Sequence, residues 1–361
     1  MTSLRFIAIL AGAFTVATSV AAQDSPTPPA IEAPATRPAA KEPSKAPPKP
    51  PPMAAKKPPA TPVETKPAAK PATPAAASAP EDPNVDLVYG AYQRGQYKTA
   101  FDLASARAQT GDVKAMTMLG ELYSNALGIK RDYGKALEWY KRGADGGDRE
   151  AMFELAMMRI AGRGAPADKQ EAVRLLASSA KLGEPKAAYN LALLYLDGQT
   201  LPQDLKRSAE LLRMAADAGN PEAQYALATF YKEGTGVEMD LEKSVRLLQA
   251  ASVANNVDAE VEYAIALYNG TGTPKNQPAA AALLRKAARQ NSPIAQNRLA
   301  RVLSSGAQGV PIDKVEAMKW HLIAKTAGKG DPELDELFSG LSPEERAKAE
   351  LGAKRWFGTA R

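Results

Sequence analysis

NPEAQYALATFYKEGTGVEMDLEKSVRLLQAASVAN, from Asn220 to Asn255, is one 36-residue copy of a pattern that runs through most of this chain. Asn220-Pro221-Glu222 is a helix start: a capping side chain, then proline at the first helical position. Ala223, Leu227 and Tyr231 follow at four-residue spacing, one face of a helix. Gly234 and Gly236 stop it, glycine being the residue that ends a helix in the left-handed conformation at least cost. Asp240 opens a second helix whose inner face begins with Ser244 and Leu247. The unit is therefore helix, short loop, helix.

Stepping by 36 residues from Ala223 finds Ala115, Ala151, Ala187, Ala259 and Ala295. The other positions keep the same frame. The first glycine recurs at Gly162, Gly198, Gly270 and Gly306, with Ala126 in the first copy; the second recurs at Gly128, Gly164 and Gly272, and Thr200 breaks it. The acid or amide recurs at Asp132, Asp168, Asp204, Asn276 and, after one inserted residue, Asp313. In Asp168-x-x-Glu171 and Asp313-x-x-Glu316 it has the spacing of a capping box. A small residue follows (Ala136, Ala172, Ser208, Ala280, Ala317), then a bulky one (Trp139, Leu175, Leu211, Leu283, Trp320). Small residues allow close helix approach and bulky ones fill the space beside it. A fixed period in this range signals stacked identical units, each burying its neighbour's apolar face.

The pattern A-x-x-x-L-x-x-x-Y-x-x-G-x-G, then D-x-x-x-A-x-x-W/L-x-x-x-A-A, resembles the Sel1-like repeat, a member of the wider tetratricopeptide-like group. The period separates it from the tetratricopeptide repeat proper, at about 34 residues. The resemblance implies an all-α, right-handed α-solenoid of six 36-residue helix-turn-helix repeats over residues 112–328. Residues 84–111 read as an N-terminal capping helix pair broken at Gly95, with Tyr89, Tyr92, Tyr97, Ala100 and Phe101 as its apolar face. Residues 329–361 read as C-terminal capping helices starting at Asp331-Pro332-Glu333 and at Ser342-Pro343-Glu344-Glu345. Terminal units must cover an otherwise exposed core.

Arg5, the apolar stretch Phe6–Val20 and the small residues Val20-Ala21-Ala22 make residues 1–22 a secretory signal peptide cleaved near Ala22. The stretch holds Gly12, Thr15, Thr18 and Ser19, so stable membrane insertion after cleavage is not expected. The chain has no cysteine, which excludes a lipoprotein and any disulfide. Residues 23–83 hold 19 prolines among Ala, Lys, Thr and Ser, too little apolar bulk to offset ordering entropy. This segment reads as a disordered Pro/Ala/Lys-rich linker able to extend on the order of 190 Å. Nine of the 46 basic residues and six of the 40 acidic ones precede residue 84, so the remainder carries 37 bases against 34 acids. The folded part is thus a mixed, near-neutral surface. The linker is the basic segment, a solvated spacer or a contact for an anionic envelope polysaccharide. With an exported address, nucleic acid is not an expected partner.

One histidine and no cysteine rule out an imidazole or thiolate metal site. A Ser-His-Asp arrangement would have to use His321, which sits beside Trp320 on the last second helix and reads as a packed helix residue. Gly234-Thr235-Gly236 and Gly270-Thr271-Gly272 look like phosphate-loop fragments, but the repeat frame accounts for them as turns. No cofactor and no enzymatic activity are expected.

The candidate site is a surface. The resemblance implies that first helices line the inner, concave face. One set of positions there reads Thr117, Phe153, Tyr189, Tyr225, Val261, Asn297; the next reads Glu121, Met157, Leu193, Thr229, Ile265, Arg301. Phe153, Met157, Tyr189, Leu193, Tyr225, Val261 and Ile265 form an apolar run that either packs internally or binds an amphipathic or extended segment of a protein partner. The function expected is a non-enzymatic protein–protein scaffold of the bacterial envelope, periplasmic or secreted. The alternative is an envelope structural protein associated with peptidoglycan or exopolysaccharide, with Phe153, Tyr189 and Tyr225 stacking on sugar rings.

Overall fold

The computed structural model describes residues 86–359; the leader and the linker read at 1–22 and 23–83 lie outside them. Among the described residues there are 16 helices and no strand, and the six-fold repetition makes an all-α solenoid. α1 (Leu87–Gln93) and α2 (Tyr97–Gln109) precede the array. The six repeats are α3 (Val113–Asn125) with α4 (Tyr133–Asp145), α5 (Arg149–Ala161) with α6 (Lys169–Lys181), and α7 (Pro185–Asp197) with α8 (Leu205–Asp217). They continue as α9 (Pro221–Glu233) with α10 (Leu241–Val253), α11 (Val257–Asn269) with α12 (Gln277–Arg289), and α13 (Pro293–Ser305) with α14 (Lys314–Thr326). α15 (Pro332–Ser339) and α16 (Pro343–Thr359) follow.

Five of the six first helices begin the same way, the exception being α7, where Glu184 accepts from the Lys186 N–H instead of that of Ala187. The residue before each of the five accepts a backbone hydrogen bond on its side chain: Asp112 from Ala115 at 3.1 Å, Asp148 from Ala151 at 2.8 Å, Asn220 from Ala223 at 2.7 Å, Asn256 from Ala259 at 2.9 Å. The recurring alanine is thus the residue whose N–H is capped, and its methyl is buried in each copy. At the other end Gly162, Gly198, Gly234 and Gly270 adopt φ between 63° and 76°, and Ala126 takes the same left-handed conformation at φ 58°. Gly306 departs, with ψ 171°, because the inserted residue turns the chain through an Ala307–Val310 bridge before Asp313. The second glycine answers to the neighbouring repeat: a Cβ on Gly236 would lie 2.2 Å from the Leu205 carbonyl oxygen.

The second helices are capped by Asp132, Asp168, Asp204, Asp240, Asn276 and Asp313, as their spacing predicts. The expected capping boxes are only half formed. Asp168 and Asp313 each accept from the N–H three residues on at 2.8 Å, but their own N–H groups donate to Arg159 and Leu303 carbonyls of the first helix. Glu171 and Glu316 are therefore released to pair with Arg159 at 2.7 Å and Arg285 at 3.2 Å. The reciprocal box is at Ser342 and Glu345, where each N–H meets the other's side chain at 2.9 and 3.3 Å.

The core follows two sets of positions. Gly120, Ala156, Ala192, Ala228, Ala264 and Ala300 are buried on the first helices, with the small residues Ala136 to Ala317 buried on the second. Of the bulky positions, Leu211 and Trp320 are buried, whereas Trp139, Leu175, Leu247 and Leu283 are only half-buried; the next residue, Tyr140, Leu176, Leu212, Leu248, Leu284 or His321, is buried in every copy. Helices pack mainly on their sequence neighbours, as in a solenoid. At the C-terminal end α16 folds back on α14, with Trp356 edge-on to Trp320 at 5.2 Å. At the N-terminal end Val88 and Ala91 bury α1 against the array, whereas Tyr89, expected on that face, is exposed. No described helix is long and apolar enough to cross a membrane.

Candidate partner-binding face

The apolar run expected on the first helices is half filled by the repeats themselves. Phe153 and Val261 are buried; Met157, Tyr189, Leu193, Tyr225 and Ile265 are part-exposed. Phe153, Met157, Tyr189 and Leu193 share one apolar cluster, Tyr225 packs with Ala228 and Leu248, and Val261 and Ile265 belong to a third cluster. Burial, aided by Glu222, pushes the Tyr189 phenol up to about 12, and burial with Glu262 and Asp258 raises Tyr225. Ile265 lines a cavity of about 240 Å³ with Tyr268, Arg298 and Arg301.

The polar ends of the run are taken up by the flanking helices. Glu121 accepts the Tyr92 hydroxyl from α1 at 3.1 Å. Thr117 donates to Val113 and to Asp148, at 3.1 and 3.2 Å. Asn297 and Arg301 both donate to Asp331, at 3.2 and 2.5 Å, just before α15. Asp331 is buried; that burial opposes ionisation, but the Arg301 and Asn297 hydrogen bonds outweigh it and hold the carboxyl below its usual range.

Sequence reasoning missed the charges that flank the run in the same 36-residue frame. Glu150, Lys186, Glu222 and Asp258 stand three residues before the first set, and Glu154, Glu262 and Arg298 one residue after it. Burial, together with nearby Glu262, raises Asp258, and Lys232 pairs with Glu262 at 2.8 Å. Carboxylates line most of the face, whereas Arg298, Arg301 and Lys329 surround a cavity of about 460 Å³ at its far end. His321 is buried and bonded through Nε2 to Asp335 at 2.8 Å, its ring 5.6 Å from that of Phe338. It joins α14 to α15.

The Sel1 repeat family model matches residues 113–148, 149–184, 185–220, 221–255, 257–292 and 293–329. The chain belongs to the Sel1 repeat family. Proteins of this family are generally protein-interaction scaffolds and typically non-catalytic. Among solved structures, this Sel1 repeat chain is similar to c5321, a protective antigen of uropathogenic Escherichia coli strains displaying the same fold. The identity is 26% and the TM-score 0.65, over 76% of this chain and 59% of that one, so the chain spans little more than half of that relative. A Sel1 repeat protein of Oxalobacter formigenes is 22% identical with a TM-score of 0.57, over 66% of this chain and 94% of that one, a likeness of fold. No curated protein matches the chain.

Proposed function

We propose that this Sel1 repeat chain is a non-enzymatic scaffold of the cell envelope, seating a protein partner along its first-helix face. The observation that carries the reading is the part-exposed row Met157, Tyr189, Leu193, Tyr225 and Ile265, flanked by carboxylates on helices that bury their recurring alanines and leucines in the core. Aromatic side chains in such a setting supply contact area at low entropic cost, and flanking charge selects the partner. Export rests on the leader residues Arg5 to Ala22.

A photo-crosslinking residue at position 189, introduced in the full chain in cells, tests both parts. The expected product is a discrete protein adduct on a chain whose N-terminus is Gln23. An adduct only with peptidoglycan or exopolysaccharide would replace the protein scaffold by the envelope structural role. A mature chain that retains Met1 or Thr2 would remove the exported location.

A further inference from the structure

The cavity at the head of the array has a chemistry of its own. It encloses about 460 Å³ between α1, α2, α3, α5 and the start of α7. We propose that this cavity receives a lysine or arginine side chain from an extended partner segment, the cation seating among Glu121, Glu150 and Glu154. The inference rests on the scaffold reading and deepens it by naming what the partner presents.

The charges on the cavity wall are unequally committed. Its three cations are engaged. Arg107 pairs with Asp86 at 3.0 Å and Asp112 at 2.5 Å, Lys114 pairs with buried Asp148, and Lys186 lies 5.9 Å over the Phe153 ring. Glu121 uses only Oε1, accepting from Tyr92 and Asn125 at 3.1 Å each. Glu150 and Glu154 have no hydrogen bond or ion pair among the described residues; Glu150 is exposed and Glu154 half-buried. A carboxylate kept in such a place without a partner costs stability. A cation arriving from outside removes that cost and gains charge-assisted hydrogen bonds. The rest of the wall suits the stem of such a side chain: Met118, Val88, Tyr89 and Tyr92 line it with apolar and aromatic surface.

Burial, reinforced by Glu121, pushes the Glu154 carboxyl up to about 7, and Lys186 opposes the shift. The other groups facing it are Glu150 on its own helix, Glu184 before α7, and Tyr140 on α4, whose phenol is itself raised by burial and Glu154. A bound cation favours the ionised form, so binding strengthens as pH rises through 7; an anion seated on Lys114 and Lys186 would show the reverse.

The test titrates the blocked peptide acetyl-Ala-Pro-Lys-Pro-Ala-amide onto the full chain, followed by NMR, with norleucine and glutamate in place of lysine as controls. The lysine peptide should bind at least ten-fold more tightly than the norleucine peptide. It should also bind up to about thirty-fold more tightly at pH 8.5 than at pH 5.5, the limit set by one competing proton. Glu154→Gln should lose ten-fold or more and abolish the pH dependence. Its melting temperature should be raised at both pH values, and by more at pH 8.5, because the unfolded glutamate is already ionised at pH 5.5; this shows that the fold survives. Equal binding of lysine and norleucine peptides, tighter binding of the glutamate peptide, or no lysine-peptide binding at 10 mM would each overturn the proposal. If the peptide fails while the crosslink at position 189 still captures a protein, the cavity assignment falls and the scaffold stands. If the peptide binds and nothing is captured at position 189, the cavity is supported and the scaffold falls.

Discussion

Tyr140 occupies the position that Leu176, Leu212, Leu248 and Leu284 fill in the following repeats. Its ring is larger than leucine, and the opposing residue is correspondingly smaller: Gly120 stands where the other copies have alanine, and a Cβ there would lie 2.6 Å from the Tyr140 ring. The two form a matched pair. Gly120→Ala should therefore destabilise the protein by about 1–3 kcal/mol through overpacking, against the helix propensity that favours alanine. Adding Tyr140→Leu should return most of the loss, and denaturant melts of the two single variants and the double variant check the coupling. The depth of this position was not apparent from the sequence. Trp139 and Tyr140 are adjacent on the helix, and a modest rotation about the helix axis decides which goes deeper. The 36-residue period fixes the face but not that rotation.

Among the elements, the helix starts were the most legible part of the sequence because capping is local: Asp, Asn or Ser before the recurring alanine suffices. The capping boxes were not, because Glu171 and Glu316 had arginines on neighbouring helices as competing partners. The candidate face was legible only as a row. How far Phe153 and Val261 sink into it depends on helix packing across repeats, and the flanking charges drew no notice because charged residues occur on every helix. One cap is more than local. Asp148 starts α5 and also holds Thr117 and Lys114 of α3, so it joins two repeats. Burial of this carboxyl opposes its charge, yet the bonds from Lys114, the Ala151 N–H and Thr117 prevail and hold it below its usual range. A group lowered in this way stabilises the fold above its unfolded value near 4, and the contribution is lost as pH falls below that. Asp148→Asn should cost about 1–2 kcal/mol at pH 7 and much less at pH 3, so the unfolding curves of the two proteins should converge on acidification.

At the scale of the whole array, neighbour-to-neighbour packing makes stability a sum of repeat and interface contributions. The ends then matter more than their size suggests. α16 covers Trp320 with Trp356, and Phe338 of α15 lies against His321, so both large buried side chains of α14 depend on residues after 330. Ending the chain at Lys329 should expose α13 and α14 to rapid hydrogen exchange and leave α5 to α8 protected. Uniform loss of protection along the array would show instead that the repeats unfold as one unit.

The repeated interface also bears on inheritance. Ala187 and Ala223 meet nearly the same surroundings, and the caps that precede Ala115, Ala151, Ala223 and Ala259 are interchangeable acids and amides. A crossover between any two internal copies therefore joins compatible surfaces and changes the gene by whole multiples of 36 codons without disturbing either neighbour. The two ends do not share this freedom. Tyr140 with Gly120 marks the first copy, and the inserted residue before Asp313 marks the last, so lengthening is confined to the copies between them. Such an exchange adds or removes a further row of the partner-binding face, and the head cavity keeps its residues where the exchange falls beyond the third copy.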